Sequence, residues 1–357
     1  MEVRTSSPPK AGPSKRQSRN PPTFLARDLA PGVEAHPPDR EPGFGVEAPP
    51  ALVSIGAIMS RFDRCRSRCA ALVALGILHV SAAAPGALDT APGSGATPVI
   101  GTAPEVLPGI AWKNPNALAA GTAVSVVSGT HRWTVRWVPA GSFIMGSPLD
   151  EPDRDKDEVP HAVVFSRGFF MAETECTQAQ WQTIVTNNPS HGRMPEQPVN
   201  RVSWKDAEDY CRRLTQVHRA QGLIPEGWAW ELPTEAQWEY ACRAGTTGPF
   251  AGELSDLAWI ESNSEGKAHA VKTRKPNAWG LYDLHGNVWE WCRDWYGDYP
   301  THSVRDPIGP SAGTFRCYRG GSRIYGSRRA RSAIRGAMTP EMKGDYLGFR
   351  PVLSPGS

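Results

Sequence analysis

The sequence lacks several features that would assign it to a function class at once. None of its seven cysteines forms a Cys-x-x-Cys spacing, so no typical zinc or dithiol redox motif is present. Its net charge is only +3, and no stripe of Lys and Arg alternates with aromatic residues, which argues against nucleic-acid binding. No internal repeat is present. The histidines are scattered, and their spacing does not indicate an iron site of two histidines and a carboxylate.

The sequence also has no apolar run of the roughly 20 residues that span a membrane comfortably. A shorter run, residues 69–84, follows a segment with four arginines and ends in small residues. Residues 59–84 are therefore predicted to be a signal peptide, which makes the mature protein secreted or periplasmic. No cysteine closely follows this run, so a lipobox is not indicated. We expect a membrane association only if the segment stays uncleaved.

Residues 1–58 are rich in Pro, Ser, Arg and Gly and have no apolar periodicity, which is typical of a low-complexity tail. One interpretation is that translation starts at Met59 and that this tail is a mis-assigned gene start. The alternative is a true cytoplasmic tail on a signal anchor. Residues 85–130 are rich in Ala, Gly and Pro and are predicted to be a linker.

Residues 131–353 hold most of the 13 tryptophans and are predicted to form one domain. The chain has 35 Gly and 34 Pro, so irregular structure should be extensive. Alternating residues on both sides of 139–141 predict two strands paired around a turn. Thr177, Ser203 and Thr234 each precede an acid or amide by three positions, which predicts three capped helix starts. We therefore predict an α+β fold with short helices and strands.

Six motifs follow one another through this domain. They are PAGSFIMGS (139–147), PVNRVSWKDA (198–207), LPTEAQWEYA (232–241), GLYDLHGNVWEW (280–291), RGGS (319–322) and LGFR (347–350). As an ordered set they resemble the sulfatase-modifying-factor, or formylglycine-generating-enzyme-like, family over about residues 137–352. The resemblance implies an irregular fold related to C-type lectins.

Active members of that family oxidise a sulfatase cysteine to formylglycine. They use two cysteines between the Gly-Gly-Ser and Leu-Gly-Phe-Arg motifs, where soft thiolates suit copper(I). Here this interval contains no cysteine, and Tyr325 stands at the first of the two positions. The second position is ambiguous, near Ser327 or Ala330. A hydroxyl does not replace a thiolate, so neither copper binding nor formylglycine formation is expected.

The resemblance also implies a calcium site in the GLYDLHGNVWEW motif. Asp283 and Glu290 would supply carboxylates, and Gly286 and Val288 would supply backbone carbonyls, which are oxygen ligands that calcium prefers. The alternative is a tight turn in which Asp283 accepts a backbone hydrogen bond. The family has a second calcium site, which we expect to be lost. Asn263 matches one of its ligands, but Lys272 stands at or near the position of its acid.

Five cysteines lie beyond the predicted signal peptide, and an odd number in an exported protein leaves at least one free thiol. By resemblance Cys211 and Cys242 match disulfide positions, but their usual partners read Pro351 and Ser332. A bridge between Cys292 and Cys317 is one hypothesis, and burial of all five thiols is the other.

The segment after Gly321 is rich in arginine, a side chain whose forked donors suit carboxylate, sulfate or phosphate. One hypothesis assigns Tyr325, Arg323, Arg328 and Arg331 to a site for a peptide, protein or anionic ligand. The alternative is that several of these arginines are structural. The acidic residues 150–158 are predicted to form a solvated loop. Three functions remain open: a ligand-binding pseudoenzyme, a family enzyme with different oxidative chemistry, and a formylglycine-generating oxidase with unusual residues.

Overall fold

The computed structural model describes residues 105–106 and 108–355. The predicted tail and signal peptide, and residues 85–104 and 107 of the predicted linker, lie outside these residues. Within the described part of the chain, no helix is long and apolar enough to cross a membrane.

The described residues form short strands and short α-helices joined by long irregular segments. The strands are β1 (Glu105–Val106), β2 (Ala123–Ser128), β3 (His131–Val138), β4 (Gly141–Met145), β5 (His161–Phe165), β6 (Phe169–Ala172), β7 (Trp228–Glu231), β8 (Trp289–Trp295), β9 (Val304–Arg305), β10 (Arg316–Arg319), β11 (Gly336–Met338), β12 (Leu347–Phe349) and β13 (Val352–Pro355). The helices are α1 (Pro108–Ala111), α2 (Gln178–Gln182), α3 (Trp204–Ala220), α4 (Glu235–Arg243), α5 (Leu254–Leu257) and α6 (Glu261–Ser264), with 3-10 turns at Pro115–Ala117 and Ser327–Ala330.

The strands form three sheets, of order β1-β2-β3-β6-β13-β7, β11-β10-β8-β12 and β4-β5-β9. This arrangement confirms both strands predicted around residues 139–141 but corrects their pairing. β3 pairs with β2 on one edge and β6 on the other, whereas β4 pairs with β5. A strand has only two edges, so β4 could not also pair with β3.

The described end of the predicted linker is not a linker. β2 pairs with β3 along its full length, from Ala123 opposite Arg136 to Ser128 opposite His131. Its apolar residues Val124 and Val126 are fully buried in the core. The folded unit therefore begins before residue 131, because β2 lies between β1 and β3 in the main sheet.

All three predicted helix starts are confirmed as capping boxes. Thr177, Ser203 and Thr234 each accept a hydrogen bond from the backbone three residues on, and the side chain at that position bonds back to the cap. Both longer helices bury the face expected from the sequence. In α3 this face includes Tyr210 and Leu214, and in α4 it includes Trp238 and Cys242. The predicted α+β class is confirmed.

Candidate functional site

The arginine-rich segment begins at a tight turn that glycine makes possible. Gly321 has a φ of +77°, and a Cβ atom on it would lie 2.5 Å from the carbonyl oxygen of Arg329. Few residues other than glycine adopt this conformation in so little space. The chain then returns through the 3-10 turn Ser327–Ala330. The turn therefore folds the segment back on itself beside the Gly-Gly-Ser motif.

Two of the predicted ligand-binding arginines are buried and already bonded. Arg323 donates to the carbonyl oxygens of Asp345 (2.9 Å) and Gly266 (3.2 Å). Arg331 donates to Glu158 at 2.6 and 2.8 Å and to Glu151 at 2.8 Å. Since neither guanidinium faces solvent, their assignment to a binding surface is corrected. Arg323 and Arg331 are structural residues, which was the alternative hypothesis.

Residues 150–158 form an irregular loop, as predicted, and Asp150 and Asp153 are exposed, but the prediction of a solvated loop was wrong for two of its glutamates. Glu151 and Glu158 are buried and hold Arg331, as described above. Asp155, further out, accepts from Arg328 Nη2 at 2.7 Å and from Arg329 Nη1 at 3.4 Å. The acidic loop is thus the partner of the arginine-rich segment, although more than 170 residues separate the two.

Tyr325 belongs to a group of aromatic rings, here called the tyrosine cluster, that also includes the half-buried Tyr318 and Tyr346 and the buried Trp289. The ring of Trp289 lies edge-on to Tyr318 (4.9 Å between centroids) and to Tyr325 (6.0 Å). Tyr325 and Tyr346 are also edge-on, 6.2 Å apart. Burial and the neighbouring tyrosines raise the pKa of Tyr318, so it stays a neutral phenol at physiological pH.

The sequence prediction named one member of this cluster and missed the other three. A usable signal was present, because each missed residue lies in or next to a family motif. Trp289 is inside GLYDLHGNVWEW, Tyr318 precedes RGGS and Tyr346 precedes LGFR. Strands β8, β10 and β12 are neighbours in one sheet, which brings these three positions together.

The predicted calcium residues form a tight turn around Gly286. A Cβ atom on Gly286 would lie 2.2 Å from the carbonyl oxygen of Trp259, so the turn requires glycine. Asp283 and Asn287 both adopt left-handed backbone angles (φ 59° and 58°). The carboxylate of Asp283 accepts from the backbone N–H of Lys272 at 2.9 Å. Its second oxygen is buried and has no hydrogen-bond partner among the described residues.

Glu290, the other predicted carboxylate ligand, is held by two side chains. Arg350 donates to its oxygens at 2.7, 3.0 and 3.2 Å, and Trp238 Nε1 donates at 2.7 Å. Among the residues that the structure describes, no three His, Cys, Asp or Glu side chains converge in a way that could hold a metal ion. Glu290 is therefore the ion-pair partner of Arg350.

A buried acid that the sequence prediction missed lies against the same turn. Glu175 accepts from Val288 N at 3.2 Å and from Asn287 Nδ2 at 3.1 Å. Burial and the charges of Asp283 and Glu290 raise its pKa well above the usual value. Burial also raises the pKa of Asp283 to about 6. Three carboxyl groups are thus buried close together here, and folding favours the protonated forms of Glu175 and Asp283.

The two residues considered for the second calcium site have other partners. Asn263 accepts from Ile260 N (2.8 Å) and donates to the Ala258 carbonyl (3.0 Å), which caps helix α6. The ammonium group of Lys272 pairs with Glu173 at 2.6 Å. Both side chains therefore have structural roles in the described part of the chain.

All five cysteines beyond the predicted signal peptide are buried free thiols. The hypothesis of a Cys292–Cys317 bridge is therefore wrong for this structure, and the alternative of small buried residues holds. Cys242 Sγ lies 3.7 Å from Ser332 Oγ, which agrees with Ser332 standing at the position of a lost bridge partner. His285 lies beside Cys242 but is bonded to the backbone of Ala330 and Ala251.

Two cavities lie away from the tyrosine cluster. One of about 290 Å³ lies between the start of β3, helix α2 and Lys272. The other, of about 370 Å³, lies between the β5–β6 turn, the start of α4 and the end of β13. Neither is lined by Tyr325 or by the arginines of the predicted site.

Comparison with known proteins agrees with the motifs. The sulfatase-modifying factor enzyme 1-like domain matches residues 129–355. The formylglycine-generating enzyme of Streptomyces coelicolor is 34% identical over 189 residues, which are 46% of this chain and 54% of that protein. The inactive C-alpha-formylglycine-generating enzyme 2 of Mus musculus is 32% identical over 184 residues, 45% of this chain and 50% of that protein. This chain thus spans about half the length of these two relatives.

A solved structure agrees with the fold. Treponema denticola variable protein 1 superimposes with a TM-score of 0.57 at 30% identity, covering 64% of this chain and 97% of that one. The irregular sulfatase-modifying-factor fold predicted from the motifs is confirmed. Because the domain match extends over more than half of the sequence, this chain is a member of the sulfatase-modifying factor enzyme 1-like family.

Proposed function

We propose that this chain is an exported ligand-binding member of the family that does not oxidise thiols. The proposal rests on which residues make up the segment between the Gly-Gly-Ser and Leu-Gly-Phe-Arg motifs. It has no cysteine, and Tyr325 there lies in the tyrosine cluster. Copper(I) prefers soft thiolate ligands, and phenols do not supply them.

The remaining cysteines do not compensate for this loss. All five are buried, and burial raises the pKa of each thiol. For Cys176 and Cys242 the pKa is about 12. Since the thiolate is the reactive and metal-binding form, these sulfurs are poor candidates for oxidase chemistry at neutral pH.

The tyrosine cluster is the surface that we assign to ligand binding. Tyrosine supplies a large contact area at a small cost in conformational entropy, and its hydroxyl can bond a polar partner. Ile324, which is 39% exposed, directly precedes Tyr325, and Met342, which is 44% exposed, lies four residues before Tyr346. Arg328 adds an exposed positive charge. A peptide, a protein segment or an anionic ligand fits this combination.

The oxidase half of the proposal is tested by incubating the full-length chain with copper(I), oxygen and a sulfatase-type Cys-x-Pro-x-Arg peptide. We expect no aldehyde in the peptide by mass spectrometry. Aldehyde formation would show that the reasoning from the missing cysteines is wrong. Oxygen uptake without an aldehyde would favour a family enzyme with different oxidative chemistry.

The binding half is tested by panning a displayed peptide library against the chain, with a Tyr325→Ala variant as counter-selection. We expect peptides that bind the original chain and lose at least tenfold in affinity on the variant. Phe315→Ala is the matched control, because Phe315 is an exposed aromatic residue outside the cluster. If enriched peptides bind all three proteins equally, the tyrosine cluster is not the peptide-binding surface.

We also propose one calcium ion in the turn around Gly286, with Asp283 as its carboxylate ligand and the carbonyls of Gly286 and Val288 beside it. The unpartnered oxygen of Asp283 and the raised pKa of Glu175 support a cation there, because a bound cation would balance the excess of buried carboxylates. For copper, no thiolate ligand is available in the segment between Gly321 and Leu347.

Export through the segment 59–84 completes the proposal. N-terminal sequencing of secreted protein tests it, with a mature end near residue 85 expected and a retained tail as the contrary result.

A further inference from the structure

We propose that Arg328 and Arg329 form a site for an oxyanion, and that the carboxylate of Asp155 occupies this site until a ligand displaces it. The ligand group is a carboxylate, sulfate or phosphate. The inference rests on the proposed function only in placing the rest of the ligand beside the tyrosine cluster.

The first argument is the convergence of two guanidinium groups on one carboxylate. Arg328 Nη2 donates to Asp155 Oδ1 at 2.7 Å, and Arg329 Nη1 donates to Asp155 Oδ2 at 3.4 Å. Each oxygen of Asp155 therefore has its own arginine. Two forked donors arranged around a planar or tetrahedral oxyanion are the arrangement by which arginine recognises carboxylate, sulfate and phosphate.

The second argument is that this contact is exposed whereas its neighbours are not. The side chains of Arg328, Arg329 and Asp155 are 50%, 32% and 28% exposed, respectively. By contrast, Arg331 lies three positions after Arg328, and both it and its partner Glu158 are buried. An exposed ion pair contributes little to stability, so an incoming anion can displace it. Breaking a buried pair costs several times more.

The third argument is that the loop can release Asp155 without unfolding. Arg331 fixes the carboxylate of Glu158. Glu158 in turn fixes the turn of the loop, because its side chain accepts from Asp155 N at 3.2 Å and its N–H donates to the Asp155 carbonyl at 3.2 Å. The backbone at Asp155 is thus held independently of its side chain. Only the side-chain torsions of Asp155 have to change for its carboxylate to leave the arginines.

The position of the pair also suits a ligand that has an apolar part. Arg328 and Arg329 lie in the 3-10 turn Ser327–Ala330, which begins two residues after Tyr325, and Arg329 N donates to the Gly326 carbonyl at 3.0 Å. The oxyanion site is therefore next to Tyr325 along the chain. A ligand with a ring or apolar side chain next to an acidic group would contact both.

The test is a titration of the full-length chain with sodium sulfate at constant ionic strength, followed by the backbone amide signals of residues 326–331. We expect Asp155→Asn to lower the sulfate dissociation constant about threefold to fivefold, since it removes the competing carboxylate. Arg328→Gln in the Asp155→Asn background should abolish the gain. Parallel titrations with acetate and phosphate show which oxyanion the site prefers.

A matched control comes from helix α3, where Arg212 and Arg213 both pair with the exposed Asp209. Asp209→Asn makes the same change in charge and should leave the signals of residues 326–331 and their sulfate affinity unchanged. If Asp155→Asn does not increase the sulfate affinity, or if Asp209→Asn increases it by as much, the inference is wrong. That result would leave the Tyr325-dependent peptide binding and the oxidase assay unaffected, so the two failures are distinguishable.

Discussion

Replacing Ser332 with cysteine should create a disulfide with Cys242. Ser332 Oγ lies 3.7 Å from the sulfur of Cys242, and both side chains are fully buried. A disulfide needs a sulfur–sulfur distance of about 2.0 Å, so the two atoms would have to approach by roughly 1.7 Å. Rotation about two side-chain torsions can supply part of that movement. The surrounding core has to absorb the rest.

The size of the effect follows from the length of the loop that the bridge closes. Cys242 and Ser332 are 90 positions apart. Cross-linking a loop of that length lowers the entropy of the unfolded chain enough to raise the free energy of unfolding by about 4–5 kcal/mol. Native-state strain reduces the gain in most engineered bridges. We therefore expect the oxidised Ser332→Cys variant to be about 2–4 kcal/mol more stable than its reduced form.

The assay is urea unfolding of Ser332→Cys with and without reductant, together with a count of reactive thiols in the unfolded protein. Formation of the bridge removes two thiols and raises the urea midpoint. Ser332→Ala under the same oxidising conditions is the control, because it removes the hydroxyl without adding a sulfur. If no thiols are lost, or if the oxidised form is no more stable than the reduced form, the correspondence of Ser332 with a lost bridge partner is refuted.

Further predictions concern the buried charges and the metal turn. Arg331→Met should lower the free energy of unfolding by about 3–5 kcal/mol, because Glu158 is left buried and unpaired, and a shift below 1 kcal/mol would contradict this. Burial, helped by the charge of Glu235, raises the pKa of Asp294 to about 7, so folding favours its protonated form. The stability from this group is complete below about pH 4 and decreases as the pH rises through 7. In urea unfolding between pH 5 and 8, the free energy of unfolding should therefore depend less on pH in Asp294→Asn than in the original chain. The same pH dependence in both proteins would refute this. Calcium at about 1 mM should raise the melting temperature of the chain but not that of Asp283→Ala. An equal shift in both proteins would place the ion elsewhere.

Features set by neighbouring residues could be predicted from the sequence. The three capping boxes depend on residues three positions apart, and each was found where its motif indicated. The buried faces of α3 and α4 follow from helical periodicity in the same way. The pairing of β3 and β4 was predicted wrongly because strand neighbours are chosen by the whole sheet. Nothing local shows that β2 and β6 already occupy both edges of β3.

Only part of the candidate site was predicted, because its residues come from segments that are distant in sequence. Tyr325 was found because it stands at a family position, but its aromatic neighbours come from other strands. The composition of residues 150–158 is equally compatible with a solvated loop and with a set of ion-pair partners. Arg331 and Glu158 are 173 residues apart, and no local pattern in the sequence relates them. Charged residues are expected at the surface unless they are paired, and the sequence did not show that Glu158 is paired with Arg331.

The buried ion pairs show what the family motifs contribute to the fold of this chain. Arg319 of the RGGS motif pairs with Glu239 of LPTEAQWEYA, and Arg350 of LGFR pairs with Glu290 of GLYDLHGNVWEW. These motifs are thus one another's buried partners, and loss of a single member leaves an uncompensated charge in the core. The motifs therefore identify the fold. The proposed function rests instead on the segment between Gly321 and Leu347, where this chain has tyrosines and arginines and no cysteine.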